Sequence, residues 1–381
     1  MTHDYNQESL DLHKEHHGKI GLVSKVPMEN KDDLSRAYTP GVGQVVREIA
    51  RDPSLAREYT LKRNTVAIIT DGSAILGLGN LGALAAIPVM EGKAAILKSF
   101  ADVDAFPICL DTQDVEEIIK AVKQIAPVFG AINLEDIAGP KCFEIEERLR
   151  KELSIPVMHD DQWGTATVVL GGLINALKVT GRGDSKDIKI VVNGIGAAGV
   201  ATSRLLISSG YTNILFCDSK GIVYAGRENL TKEKKELLQG SSLGGHEGTL
   251  EEALVEADVF IGVSKAGALT KEMITGMKKD PIVFALANPI PEIMPDEAYD
   301  AGVAVIATGR SDFPNQLNNS LIFPGLFKGI LDADSKQFDI SMFTRAALAL
   351  AGHVQNPTKE NILPTMFDKE LVTVIAKTVT Q

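Results

Sequence analysis

From Lys186 onward the hydrophobic positions fall into a regular alternation. DIKIVVNG, NILFCD, ADVFIGVS, PIVFALANP and VAVIATG are short, nearly continuous apolar runs, rich in β-branched residues and bounded by turn residues. That is the pattern of strands buried on both faces. Helix-compatible segments separate them, the first over 197–209. Such alternation predicts a parallel, doubly wound α/β sheet beginning near residue 160. Near the C-terminus, SMFTRAALALAGHV and MFDKELVTVIAKTV predict helices that close over this sheet or pack back on the first half.

The first half is less regular. Apolar runs at TVAIIT, AAILKSF and FPICL, with acidic helix-like stretches over 114–124 and 143–152, predict a separate α/β domain. TGRGDSKD (180–187) reads as a connecting loop. Residues 1–35 are polar, and His3, His13, His16 and His17 read as part of a solvated helix or loose arm, ahead of a metal or proton site. The predicted division is residues 1–159 and 160–381.

Composition narrows the class. The 381 residues carry 39 Lys+Arg and 50 Asp+Glu, a formal charge of −11, which argues against nucleic acid and anionic membrane as partners. Cys109, Cys142 and Cys217 are far apart and fit no zinc spacing, so they read as buried free thiols of a reducing compartment. The longest apolar stretch, over 66–90, is broken by Asp71, glycines and Pro88, and predicts no membrane span. The N-terminus lacks the apolar segment of a secretory signal. A cytoplasmic globular protein is expected.

Gly194-x-Gly196-x-x-Gly199 directly follows the strand IKIVVN and opens a helix. With Ile195, Ala197 and Ala198 it forms a Rossmann-like fingerprint for a dinucleotide. The glycines give a tight turn, close approach of a pyrophosphate and close helix packing, and the helix N-terminus favours negative charge. Asp218 ends the next strand, 19 residues after Gly199, where a carboxylate accepts hydrogen bonds from a ribose. It favours NAD over NADP, although Lys220 could reach a 2′-phosphate. A second triplet, Gly77, Gly79 and Gly82, is followed by Pro88 inside a helix and reads as a structural turn.

Two acidic pairs sit among apolar or small residues, Glu135-Asp136 in AINLEDIAGP and Asp160-Asp161 in VMHDDQWGTA. Adjacent semi-buried carboxylates repel unless a cation neutralises them, and oxygen-only ligands suit Mg²⁺ or Mn²⁺. Asp161 could equally cap the following helix. Lys93, in VMEGKAAIL, reads as a desolvated lysine with a lowered pKa suited to a general base, or as a lysine with its head in water. Tyr38, before Pro-Gly-x-Gly, presents a phenol to a cleft or anchors a turn. Asn288 ends VFALAN, and Asn318 and Asn319 precede LIFPG. Asn288 falls where open α/β sheets bind ligands, beyond a strand's carboxyl end.

YTPGVG (38–43), TDGSAILGLGNLG (70–82), EGKAA (91–95), LEDI (134–137), HDDQWGTA (159–166), GIGAAG (194–199), ALANP (285–289) and NNSLIFPG (318–325) run in one order along most of the chain. Together they resemble the malic enzymes, in the short bacterial and archaeal form. The resemblance implies an N-terminal α/β malic domain, a doubly wound Rossmann-like NAD(P)-binding domain with C-terminal helices, and a site in the cleft between them. It implies that Glu135, Asp136 and Asp161 bind Mn²⁺ or Mg²⁺ and that Lys93 is the general base, tuned by Asp160. Tyr38 would be the general acid. Asn288 and one of Asn318 and Asn319 would hold substrate or nicotinamide. A homodimer or homotetramer is implied, acting on malate.

One departure is clear. The larger members carry an arginine in the glycine-rich segment that clamps a substrate carboxylate, whereas this chain has Ala74, preceded by Ser73. Three rivals remain: a malolactic-type lyase, a hydroxyacid dehydrogenase without decarboxylation, and a catalytically silent dinucleotide sensor.

Overall fold

The computed structural model describes residues 4–380; His3 lies outside them. Two parallel sheets organise the chain. The first has the order β2-β1-β3-β4, with β1 Thr65–Thr70, β2 Asp104–Cys109, β3 Ala131–Leu134 and β4 Val157–His159. All six residues of β1 are buried, as the unbroken run TVAIIT requires.

Ahead of this sheet come α1 (Tyr5–His16), α2 (Lys31–Ala37), α3 (Val42–Arg51) and α4 (Ala56–Tyr59). Within it the crossovers are α5 (Ala83–Ala101), α6 (Val115–Ile125) and α7 (Lys141–Glu152). Helix α1 buries none of its side chains, in keeping with a solvated helix carrying His13 and His16. AAILKSF is helical, inside α5, and supplies no strand. Ala94, Leu97 and Ala101 of this helix are buried at helical spacing.

The second sheet has the order β10-β9-β8-β5-β6-β7. Its strands are β5 Ile190–Asn193, β6 Ile214–Asp218, β7 Gly221–Ile222, β8 Val259–Gly262, β9 Ile282–Ala285 and β10 Val305–Thr308, parallel except for β7. Helix α8 (Asp160–Val179) joins the two sheets; α9 (Ala197–Ser208), α10 (Lys232–Gly240), α11 (Leu250–Leu254), α12 (Lys271–Thr275) and α13 (Pro295–Asp300) link the later strands. The chain closes with α14 (Phe323–Asp332), α15 (Ile340–His353) and α16 (Leu371–Val379). Of the two C-terminal helices the sequence predicts, α15 lies along α8 and α16 packs on α14 and α15; α14, which the sequence pattern does not predict, packs back on α5.

A central apolar layer is common to both halves. It joins Val66, Met90 and Leu97 to Val192, Phe284 and Phe323. The outer face of the first sheet is covered by α6 and α7, and that of the second by α11 to α13. Cys142 and Cys217 are buried and Cys109 half-buried, all free thiols. No helix among the described residues is long and apolar enough to cross a membrane.

Candidate active site

The register of the first sheet builds the carboxylate cluster. Leu134 of β3 pairs with His159 of β4. The residues that follow, Glu135-Asp136 and Asp160-Asp161, therefore emerge side by side at the carboxyl end of the sheet. Carboxylate oxygens of Glu135, Asp136 and Asp161 lie within 4.8 Å of one another. Asp161 does not cap α8: the cap position is His159, and Asp161 Oδ2 instead accepts from the backbone N–H of Asp136 at 2.8 Å. Asp136 sits at φ 54°, a left-handed conformation that Asp tolerates better than most residues.

Lys93, on α5, points its ammonium into this cluster. It pairs with Asp160, lies 3.0 Å from Glu135 Oε1, donates to Asn319 Oδ1 at 3.1 Å, and sits over the Phe323 ring. Gly164, one turn along α8, leaves the space that Asp160 Oδ1 fills; a Cβ there would collide with it. Asn319 is thus the member of its pair that reaches the base. Asn318 caps the following turn through Ser320 N–H and donates to the Gly309 carbonyl.

The electrostatics correct one expectation. Burial alone would lower the Lys93 pKa, but attraction to Asp160, Glu135 and Asp161 outweighs it, and the pKa is raised. Burial pushes Glu135 and Asp160 above the ordinary carboxylate range even though Lys93 opposes it. Asp136 is pushed up to about 7 by burial and then by Asp161. One ammonium faces four carboxylates, so every shift reports a shortage of positive charge. Asp136 Oδ2 and Asp160 Oδ1 are buried and accept no hydrogen bond. Hard oxygen donors, mutual repulsion and an orphaned buried oxygen on Asp136 fit a divalent cation held by Glu135, Asp136 and Asp161. No other such group occurs among the described residues.

The glycine fingerprint forms the second half of the site. Gly194 has φ +104° and packs so tightly on the Val263–Ser264 backbone that a side chain is excluded, while Gly199 abuts the Gly194 carbonyl. Gly196 faces open space. A cavity of about 780 Å³ runs from Gly194, Ile195 and Gly196 to Asp218 and Lys220. Ala197 and Ala198 open α9 beside it. Asp218 is half-buried, yet hydrogen bonds from Lys234 and Arg227 (2.6 Å each) overcome that burial and hold its pKa down. Neither cation was legible in the sequence. Lys234 stands in TKEKKELL, indistinguishable from a solvated helix face, and Arg227 in a loop with no pattern.

Asn288 does not end a strand. β9 stops at Ala285, and Asn288 lies on the exposed loop beyond, its side chain against Gly309 and its carbonyl against Gly77. Gly72, Gly77, Gly79 and Gly82 all have positive φ, so the second glycine triplet is a turn, and Gly77 brings it against the nucleotide half. Tyr38 stands apart from the cluster. It is 64% exposed, and its hydroxyl has no hydrogen bond among the described residues.

Comparison with known proteins converges on one family. The sequence model described as malic enzyme, N-terminal domain matches residues 17–150, and that described as malic enzyme, NAD binding domain, residues 163–381. The bifunctional malic/malolactic enzyme of Bacillus subtilis is 52% identical, over 98% of this chain and 92% of that protein. The NAD-dependent malic enzyme of Geobacillus stearothermophilus is also 52% identical, over 93% and 74%. The crystal structure of the NAD-dependent malic enzyme from Thermotoga maritima superposes with a TM-score of 0.94 at 45% identity, covering 98% of each chain. A lysine facing a trio of acids, two of them buried, a dinucleotide cradle and matches over both halves make this chain a member of the malic enzyme family.

Proposed function

We propose that the chain catalyses oxidative decarboxylation of malate: (S)-malate + NAD⁺ → pyruvate + CO₂ + NADH, with NADP⁺ the second acceptor to be tested. The observation that carries this reading is the Lys93 ammonium set among Asp160, Glu135 and Asn319 beside three convergent carboxylates. A simple dehydrogenase has no need of that trio. The division of labour is residues 1–159 for most of the substrate and metal site, including Lys93, Glu135 and Asp136, and 160–381 for the nucleotide, with Asp161 and Asn319 reaching into the first half's site from the second.

Glu135, Asp136 and Asp161 would hold Mn²⁺ or Mg²⁺. The ion would supply Lewis-acid polarisation of the oxygen on C2. Lys93, once neutral, takes the C2 hydroxyl proton while hydride passes from C2 to the nicotinamide. Asp160 fixes the direction of the lysine and stabilises it when protonated. By sharing the charge of Glu135 and Asp161, a cation held there would weaken the hold of the acids on Lys93 and let its pKa fall toward that of a base. After the C4 carboxylate leaves as CO₂, Tyr38 donates a proton to C3 and pyruvate results. Asn319, and Asn288 on the facing loop, offer amide groups to substrate or nicotinamide. Asp218 receives the ribose hydroxyls, which favours NAD, while Lys220, Lys234 and Arg227 surround it with positive charge. The family reading also makes the protein a cytoplasmic homodimer or homotetramer.

A second reading has one observation in its favour, the name of the Bacillus subtilis relative: a lyase that releases lactate with no net NADH. Following absorbance at 340 nm with malate, Mn²⁺ and each nucleotide, then assaying the products, decides between them. Reduced nucleotide matched by pyruvate, and lost in chelator, supports the proposal. Lactate without reduced nucleotide supports the lyase. Oxaloacetate matched to reduced nucleotide leaves a dehydrogenase, and nucleotide binding without turnover leaves a sensor.

A further inference from the structure

The site needs more positive charge than its own residues supply. Four carboxylates face Lys93 and the ion that three of them would hold, and a dicarboxylate substrate adds two more. The position where larger family members carry an arginine is Ala74. It stands beside the cluster, its N–H on the Asp136 carbonyl at 3.0 Å. Several other cations beyond the strand ends are engaged elsewhere. Lys141 lies 2.5 Å from the buried Asp71, and Lys220 and Lys265 line the nucleotide cavity.

Arg310 differs. β10 ends at Thr308, and Gly309 and Arg310 follow it at the carboxyl edge of the second sheet. Asn318, next to Asn319, donates to the Gly309 carbonyl at 3.4 Å. Asn288 packs so closely that a Cβ on Gly309 would stand 3.0 Å from its amide nitrogen. The Asn288 carbonyl in turn rests on Gly77, one residue from Leu76, whose N–H is directed at Asp136. The Arg310 loop thus meets, through Asn288, the segment that contains Ala74.

The guanidinium is held in place but not used up. Its Nε and Nη2 donate to Asp312 at 2.8 and 2.6 Å, and Nη1 donates to the Pro289 carbonyl at 3.3 Å. It also lies over the Phe313 ring. These contacts fix the stem, yet they engage only three of the N–H groups of a five-donor fork. The rest are available to a carboxylate, and the side chain is 36% exposed.

We infer that Arg310 is the substrate-carboxylate clamp of this enzyme, supplied by the nucleotide half where larger members supply an arginine from the other. The group it holds is the C1 carboxylate. C1 keeps its charge from malate to pyruvate. C4 leaves as CO₂ when the C3–C4 bond breaks and its electron pair passes toward the C2 carbonyl, and a tight ion pair on C4 would oppose that step. A clamp on a charge that does not change binds substrate and transition state alike, so its loss raises KM more than it lowers kcat. The inference rests on malate as the substrate.

Arg310→Met in the full-length chain is expected to raise the KM for malate at least about tenfold, the size of a lost charge-assisted hydrogen bond, with the KM for NAD⁺ and the Tm held. Pyruvate retains only the C1 carboxylate, so its product inhibition should weaken by a similar factor. Adding Ala74→Arg to the same variant returns a guanidinium from the facing segment and should recover most of the malate KM. An unchanged KM for malate overturns the inference. So does a rise confined to NAD⁺, which gives Arg310 to the nucleotide, or a drop in Tm with kcat and both KM values moving together, which makes it a brace for its loop. Unaltered inhibition by pyruvate beside a raised malate KM would put the guanidinium on C4 and overturn the C1 assignment. A double variant that melts like the wild type yet binds malate no better would also count against the clamp; if it does not fold, the malate and pyruvate constants of the single variant decide alone. Wild-type turnover of malate is measured first, so that failure of the proposed function is seen separately from failure of the clamp.

Discussion

At the scale of single residues the site depends on where charge is placed. Lys93→Ala should lower kcat by about 10²–10⁴-fold, the usual loss for a positioned base. Lys93→Arg should not restore it, since a guanidinium keeps its proton; NADH production at 340 nm tests both. Asp136 adds a backbone constraint. Its φ of 54° suits Asp or Asn and penalises Ala. Asp136→Asn should therefore fold as well as the wild type, and melt no lower in chelator because one buried repulsive charge is gone, yet lose metal-dependent turnover and the thermal shift with Mn²⁺. Asp136→Ala should lose stability as well. The identities of these residues were legible because acids in apolar company and a lysine among alanines are costly unless something neutralises them. The sign of the Lys93 shift was not legible, because it depends on three acids brought in from β3 and β4. The choice between Asn318 and Asn319 was equally closed to sequence, being set by which amide caps a turn and which faces inward.

Single elements show where local preference and function conflict. Gly164 lies inside α8, where Ala would ordinarily favour the helix by about 1 kcal/mol. Its missing Cβ is what admits Asp160 Oδ1. Gly164→Ala is thus expected to reduce kcat by roughly 10- to 100-fold with no gain in Tm, a loss typical of a displaced reacting group. Helix α7 carries a different cost. Burial pushes Glu146 up to about 7, although it accepts hydrogen bonds from His159 N–H, Gln162 and Trp163. A carboxyl that folding shifts upward from about 4.5 binds more protons in the folded state. Its contribution to stability is complete below about 4.5, falls as pH rises to about 7 and is level above it, a change of about 3 kcal/mol. Denaturant titrations at several pH values should show a shallower fall across that window in Glu146→Gln than in the wild type, the remainder coming from the raised acids of the cluster. The five parallel strands of the second sheet were legible from their apolar runs, short as they are; the two-residue antiparallel β7 was not. AAILKSF was ambiguous for the usual reason, that a short apolar run suits a strand or a buried helix.

For the whole molecule, saturating metal should stabilise the fold by mass action, about 2.7 kcal/mol at a hundred times Kd, and Asp136→Asn should abolish that gain in a melting experiment. What sequence could not supply at this scale is the relation between the halves. The shared apolar layer mixes residues hundreds of positions apart, and no local pattern marks Arg227 and Lys234 as the clasp on Asp218. Helix α8 carries this relation mechanically. It begins with two acids of the cluster and ends where Asn175 binds the carbonyls of Ala351 and Ile362. Twenty residues make a lever about 30 Å long. A tilt of about 5° about its far end would move Asp160 and Asp161 by about 2.6 Å relative to Glu135 and Asp136, more than a whole metal–oxygen bond of about 2.1 Å. Small rotations of the nucleotide half would thus be felt as the opening or tightening of a vice on the ion, and a grip on the ion would in turn fix the angle at which the nucleotide is presented.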